Sequence, residues 1–180
     1  MPHYVRAYIP GGSYFFTVAL LERRRHLLTE HIDALRAASV SVRRQQPFHI
    51  DAIVVLPDHL HCLWTLPPDD ADYSTRWRLI KASFARTLAP GERLSDRRKQ
   101  KGERGIWQRR FWEHAIRDQR DFERHCDCIY YNPVKHGLVM RVADWPHSSF
   151  HRFVENGTYP LGWAGNPELT DAAGFGAGPR

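Results

Sequence analysis

Long apolar runs are missing from this 180-residue sequence. Its most hydrophobic early stretch, FFTVALL from Phe15 to Leu21, falls well short of the about 20 apolar residues a membrane-crossing helix needs. The first twelve residues, MPHYVRAYIPGG, do not have the form of a secretory signal. The expectation is a cytoplasmic protein with no membrane partner. Cysteine is scarce too. Cys62, Cys126 and Cys128 are an odd, small set in a chain without a signal, which excludes a disulfide framework. No Cys-x-x-Cys spacing occurs, and Cys126 and Cys128 would lie about 200° apart on a helix. Cys62, on a strand, would point away from the histidines beside it. These spacings speak against a closed zinc cage. No internal repeat is present.

The sequence does contain enough apolar and aromatic residues, 42% and 12%, for one globular domain with a real core. It also carries an uneven charge. The formal net charge is +6 with a pI near 9.5. The segment from Arg93 to Arg110, RLSDRRKQKGERGIWQRR, holds eight Lys/Arg against two Asp/Glu, so it matches the whole excess. Such a run favours a polyanionic partner, nucleic acid first. Its plainer reading is a solvated loop.

Local patterns predict the elements. Tyr14 to Leu21 follows a Gly-Gly turn, is rich in aromatic and β-branched residues and reads as a strand. A helix follows, with Thr29 as its cap and Ile32, Leu35, Ala38 and Val42 at helical spacing. PFHIDAIVVL and HLHCLWTL are strands joined by Pro57-Asp58, the pattern of a hairpin. Ser74 is placed to cap the next helix, whose stripe is Trp77, Ile80, Phe84 and Leu88, with Arg76, Lys81 and Arg86 pointing elsewhere. The basic segment reads as a mobile loop, and IWQRRFWEHAIR as partly extended. A helix then begins near Asp118 and ends or kinks at Asn132-Pro133. The order β-α-β-β-α-(β)-α implies an α+β, ferredoxin-like fold: a small antiparallel sheet with two helices on one face. Residues 1–142 form the main domain in this reading. Residues 143–170 form an extended C-terminal arm packed on it, and 171–180 a disordered tail.

The chemistry concentrates in two places. On a strand, His59 and His61 share one face, while Leu60, Cys62, Trp64 and Leu66 take the other and form the core face. Two imidazoles side by side can bind one metal ion. On the later helix Cys128 and Asn132 are i and i+4, hence on one face. If that helix packs near the histidine strand, the amide oxygen of Asn132 becomes a third ligand. Two imidazoles and a carbonyl-type oxygen suit Mg²⁺ or Mn²⁺.

These stretches, taken with GGSYFFTV, VVLPDHLHCLWTLP, STRWRLIK, IWQRRFWEHAIRD, YNPVKHGLV, ADWPHSSFHR and YPLGWAG in this order, resemble the REP-associated tyrosine transposases, a branch of the HUH single-tyrosine transposases. The resemblance spans most of the chain. It implies that His59-Leu60-His61 is the HUH motif, that His59, His61 and Asn132 hold a divalent metal, and that the substrate is single-stranded DNA folded into hairpins from repetitive extragenic palindromes. The implied reaction is endonuclease and strand-transfer chemistry by transesterification, in a nucleoid-associated protein, with a monomer slightly favoured as its state. Arg97, Arg98, Lys99, Lys101, Arg104, Arg109 and Arg110 would contact phosphates. Trp107, like Phe111 and Trp112, would stack on unpaired bases or pack in the core.

One position departs from the family pattern. The family's nucleophilic tyrosine lies four residues before the asparagine, where this chain has Cys128. A thiol has an ordinary pKa of about 8.5 and would need to be a thiolate. Its sulfur also stops several ångströms short of a tyrosine hydroxyl, and a misplacement of about 1 Å can cost on the order of 100-fold. Tyr131, three residues on, is the alternative nucleophile, and Tyr130, turned well away, a more remote one. The remaining reading is a hairpin-binding module that no longer cleaves.

Overall fold

The computed structural model describes residues 6–165. The expected tail over 171–180 lies outside them. In chain order the elements are β1 (Ser13–Ala19), α1 (Leu27–Glu30), α2 (Ile32–Gln45), β2 (His49–Val55), β3 (His59–Thr65), α3 (Tyr73–Thr87), α4 (Asp96–Gln100), β4 (Trp112–Ala115), α5 (Gln119–Lys135), a 3₁₀ turn at Val142–Asp144 and α6 (Phe150–Glu155). The four strands form one antiparallel sheet in the order β2-β3-β1-β4. This is the expected α+β, ferredoxin-like arrangement, and β2 and β3 are the expected hairpin.

The sheet is covered on both faces, and alternation along the strands decides what each face carries. Tyr14, Phe16 and Val18 of β1 and Leu60, Cys62 and Trp64 of β3 join Leu35, Val42, Trp77, Ile80 and Phe84 in a core beneath α2 and α3. The two helices expected on one face are therefore these. Phe15, Ala52, Val54 and Leu63 point to the opposite face, where Cys126, Ile129 and Tyr130 of α5 and Phe150 of α6 form a second core. The central strand β3 is accordingly buried along nearly its whole length, histidines included. The segment after α5 contributes a 3₁₀ turn, a short helix and the aromatic rings of Trp145, Phe153, Tyr159 and Trp163 to that second core. It also closes the outer edge of β2: Val55 N–H donates to His147 O at 2.8 Å and Ser149 N–H to Ile53 O at 2.9 Å.

Two helix starts and one side chain differ from the sequence expectation. Thr29 falls inside α1 rather than capping a longer helix. Asp72, not Ser74, caps α3, accepting from Thr75 N–H at 2.9 Å. Arg76 does not point away from the core: it is 1% exposed, donating to Asp70 and to the carbonyls of Gln46, Pro47 and Asp72. Periodicity gave it a polar face, but α3 packs against the chain on both sides of its stripe. The basic segment, expected as a mobile loop, contains the short α4 and is anchored by Arg104. The Arg104 guanidinium pairs with Glu92 and donates to the carbonyls of Ala85, Leu88 and Ala89 at the end of α3.

Candidate metal and DNA-processing site

The α5 helix carries the second half of the site, and its ends explain how it does so. Asp118 caps the start, accepting from Asp121 N–H at 2.8 Å. Pro133 lies inside the helix, which continues to Lys135 instead of ending at Asn132-Pro133. The stop comes at Gly137, in the left-handed region at φ 67°. There Leu138 N–H donates to Pro133 O and Gly137 N–H to Val134 O, both at 2.9 Å, the pairing of a Schellman motif. A proline removes one helical hydrogen bond, and this close to the end the glycine closure keeps the last turn formed. That extra turn carries His136 onto the histidine strand, its ring centroid 5.1 Å from that of His59.

His59 and His61 lie side by side, ring centroids 5.0 Å apart and both buried. Each ring is held through Nδ1. His59 Nδ1 bonds Asp58 Oδ1 at 2.7 Å, and Arg23 Nε donates to the other oxygen of Asp58 at 2.6 Å. His61 Nδ1 shares a 2.9 Å hydrogen bond with Thr17 Oγ1, the residue directly opposite it in the β1–β3 register. Nε2 is therefore the nitrogen each imidazole can offer a metal. Burial favours protonation of the Asp58 carboxyl, but the hydrogen bonds from His59 and Arg23 outweigh it and hold the group well below the usual carboxylate range. Burial, reinforced by the charges of His59 and His136, holds His61 well below the usual histidine value and so keeps it neutral. A neutral ring is the form a metal requires.

Asn132 lies on the α5 face that packs toward this pair. On α5, His125 touches Phe15 at 4.9 Å between centroids, and Phe15 stacks on His61 at 5.5 Å. His136 touches His59. At about 100° per residue, Asn132 lies between those two contacts on the same helix face. Its Nδ2 donates to Cys128 O at 3.3 Å, while its Oδ1 is buried with no hydrogen-bond partner. Such an atom costs about 1–3 kcal/mol unless something binds it. Two imidazoles presenting Nε2 and one orphaned amide oxygen are a donor set that fits a divalent cation with positions left open.

The three candidate nucleophiles have different surroundings. Cys128 is 3% exposed, and burial pushes its thiol up to about 11. Tyr130 is fully buried among Phe150, Phe153 and Tyr159, its hydroxyl 3.2 Å from Ser149 Oγ. Tyr131 is half-buried and lines a cavity of about 560 Å³ with Val134, Met140 and the arm residues Leu161 to Ala164.

The expected DNA-contacting residues divide in two. Arg97, Lys99, Lys101, Arg109 and Arg110 are exposed, and Arg98 is half-buried. Arg104 is committed to the end of α3, as described above. Trp107 is 7% exposed, packs on Phe84 and donates from Nε1 to Lys81 O at 3.1 Å. Those two side chains serve the fold in the free protein, which for Trp107 is the core-packing alternative. Sequence reasoning missed Thr17, Arg23, Asp58 and His136 around the histidine pair. Asp58 alone had a local signal, adjacent to His59. It placed His125 near the Cys128–Asn132 face but missed its cluster with His114 and Asp121, whose ligand-type atoms lie within 4.8 Å of one another. There Asp121 accepts from His114 Nε2 at 2.9 Å and Arg117 Nε at 3.1 Å, and His125 Nδ1 donates to Asp121 O at 2.6 Å. This reads as a hydrogen-bonded brace tying β4 to the first turn of α5.

No model of a known protein family matches the chain. A REP-associated tyrosine transposase of Escherichia coli (strain K12) is 51% identical over 180 residues, which is all of this chain and 98% of that protein. A Haemophilus influenzae protein assigned to the same transposases is 48% identical over 170 residues, 94% of this chain and 97% of its own length. The solved structure of a REP-associated tyrosine transposase bound to a REP hairpin is similar with a TM-score of 0.83 and 50% identity, covering 100% of this chain and 98% of that one.

Proposed function

The chain belongs to the REP-associated tyrosine transposases, and on that premise we propose that it binds hairpin-forming single-stranded DNA and holds Mg²⁺ or Mn²⁺ at His59, His61 and Asn132, with the covalent cleavage step disabled at Cys128. The observation that carries the metal half is the pairing of two Nδ1-anchored imidazoles with the orphaned Asn132 oxygen. A relative of 50% identity bound to a REP hairpin supports the DNA half. When bound, the ion would draw charge from the oxygens of a phosphodiester placed against it. Asp58 and Thr17 fix the imidazole orientation, and Arg23 fixes Asp58. The buried rings of Phe15 and His125 limit water on one side of Asn132, and His136 borders the open side.

What supports loss of cleavage is the state of Cys128. A thiol held up to about 11 is almost wholly protonated near neutral pH, and the thiolate is the nucleophile. The test is incubation of the protein with Mn²⁺ or Mg²⁺ and a labelled hairpin carrying a single-stranded flank. Retained binding with no covalent adduct is the expected result for this chain, and gain of an adduct is expected for Cys128→Tyr. A folded, hairpin-binding Cys128→Tyr protein that forms no adduct would overturn the placement of Cys128 at the nucleophile position. The second reading, retained transesterification, is favoured by the completeness of the metal cradle. An adduct formed by the unaltered protein and lost in Tyr131→Phe would establish it.

A further inference from the structure

A cavity of about 720 Å³ opens on the α3 side of the molecule, against the basic segment. Three separate stretches line it with cations: Arg6 before β1, Lys81 on α3, and Arg98 and Arg109 on either side of the short turn at 101–105. The Lys81 ammonium donates to Gln108 O at 2.6 Å and lies 5.9 and 6.0 Å from the ring centres of Trp107 and Phe111. Arg6 sits 4.4 Å over the Phe111 ring. Glu103 is the one carboxylate in the lining, while Glu113, behind it, pairs with Arg6 at 3.6 Å. Glu103 Oε2 accepts from Arg109 Nε at 2.9 Å and from Arg98 Nη1 at 3.4 Å. A single anionic oxygen bridging two guanidiniums is how a phosphate oxygen is held.

We propose that this cavity is a seat for one phosphodiester of bound DNA, and that Glu103 occupies the seat's arginines in the free protein as a built-in competitor. The inference rests on the DNA-binding reading above and adds to it Arg6, Lys81 and Glu103. Arg98 and Arg109 must release Glu103 before they take a phosphate, so the carboxylate weakens binding in two ways. It sequesters two donors, and its charge repels the incoming anion. Burial, with the charges of Arg6 and Arg98 behind it, holds Lys81 down to about 8. An anion placed beside it would relieve that cost.

The experiment compares Glu103→Gln with Asp96→Asn, a charge change of the same size on the same segment but on a side chain 95% exposed and outside the cavity. Binding of a hairpin without a tail and of an unstructured oligothymidine is measured by fluorescence anisotropy from 50 to 200 mM salt. Glu103→Gln is expected to bind about tenfold more tightly than Asp96→Asn. Its log–log salt slope should be steeper by roughly the 0.7 to 0.9 that one added phosphate contact contributes. A gain on oligothymidine places the seat on unpaired strand, and a gain on the hairpin places it on the stem. No gain over Asp96→Asn on either probe overturns the seat, as does a gain that persists undiminished in Lys81→Met/Glu103→Gln. If the unaltered protein shows no preference for the hairpin over oligothymidine, the hairpin reading fails, while the ratio between the two variants still judges the seat.

Discussion

Cys128 shares a helix face with Asn132, but sharing that face and reaching the histidine pair are separate properties. Spacing in the sequence locates the face, because Cys128 and Asn132 are one helical turn apart. Reach and ionisation depend on what packs around the thiol, and only the fold supplies that. The same holds for His61. Its strand face follows from alternation, but its orientation depends on Thr17, 44 residues away and directly across the sheet. We expect Thr17→Val to weaken Mn²⁺ binding by about 10- to 100-fold, the usual cost of losing such a partner, and to lower stability by the about 1–3 kcal/mol of an unpaired buried imidazole nitrogen; calorimetric titration checks the first and chemical denaturation the second. His125 gives a pH signature. Burial holds it down to about 4 against an ordinary 6.5. A histidine whose value is lowered by folding takes up its proton more readily when unfolded. Its contribution is therefore complete above pH 6.5 and is lost as pH falls toward 4, amounting to about 3 kcal/mol at about 1.4 kcal/mol per pH unit. Asp121, held low because hydrogen bonds from Arg117 and His114 outweigh its burial, extends the loss to more acid pH. Denaturant midpoints measured between pH 7 and 4 should fall steeply for this chain and less for His125→Phe.

Among the elements, the strands were legible from alternation and the helices from their stripes, because both signals are local. What the sequence concealed lies where a side chain answers to a neighbour distant in the chain. Arg76 has the spacing of a surface residue and the environment of a core one. Its guanidinium satisfies three carbonyls from the turns flanking β2 and α3 and pairs with Asp70 at 2.6 Å. Arg76→Ala should cost about 3–5 kcal/mol, since it leaves a carboxylate and buried carbonyls without their donor. Arg76→Lys should recover only part, because one ammonium cannot span that fan of acceptors. Chemical denaturation of both variants tests the ordering. The end of α5 is a similar case. A proline after an asparagine signals termination, yet Gly137 sets the boundary, and His136 reaches the site only because it does.

At the scale of the whole molecule, the antiparallel sheet and its pair of helices on one face could be read from element order. The second face could not, because nothing local says that α5 will cover it or that the arm will share its core. Phe150 is fully buried there beside Tyr130, with ring centres 5.6 Å apart. Phe150→Ala should therefore cost about 3–5 kcal/mol, read as a shift in the urea midpoint with one cooperative transition retained. A separate, uncoupled unfolding of the arm would contradict a shared core. Among the described residues no helix is long and apolar enough to cross a membrane.

The backbone pairing of 147–149 along β2 has a consequence for self-association. An open edge strand is a template on which another chain can add its own, the route to domain swapping and fibrils. Here β2, seven residues long, already has part of its edge occupied from within, and β4 at the opposite edge spans only four residues. Strand addition by a second copy would have to evict 147–149 first. A substitution that frees this segment, such as Ser149→Pro, should appear first as time-dependent thioflavin-positive assembly.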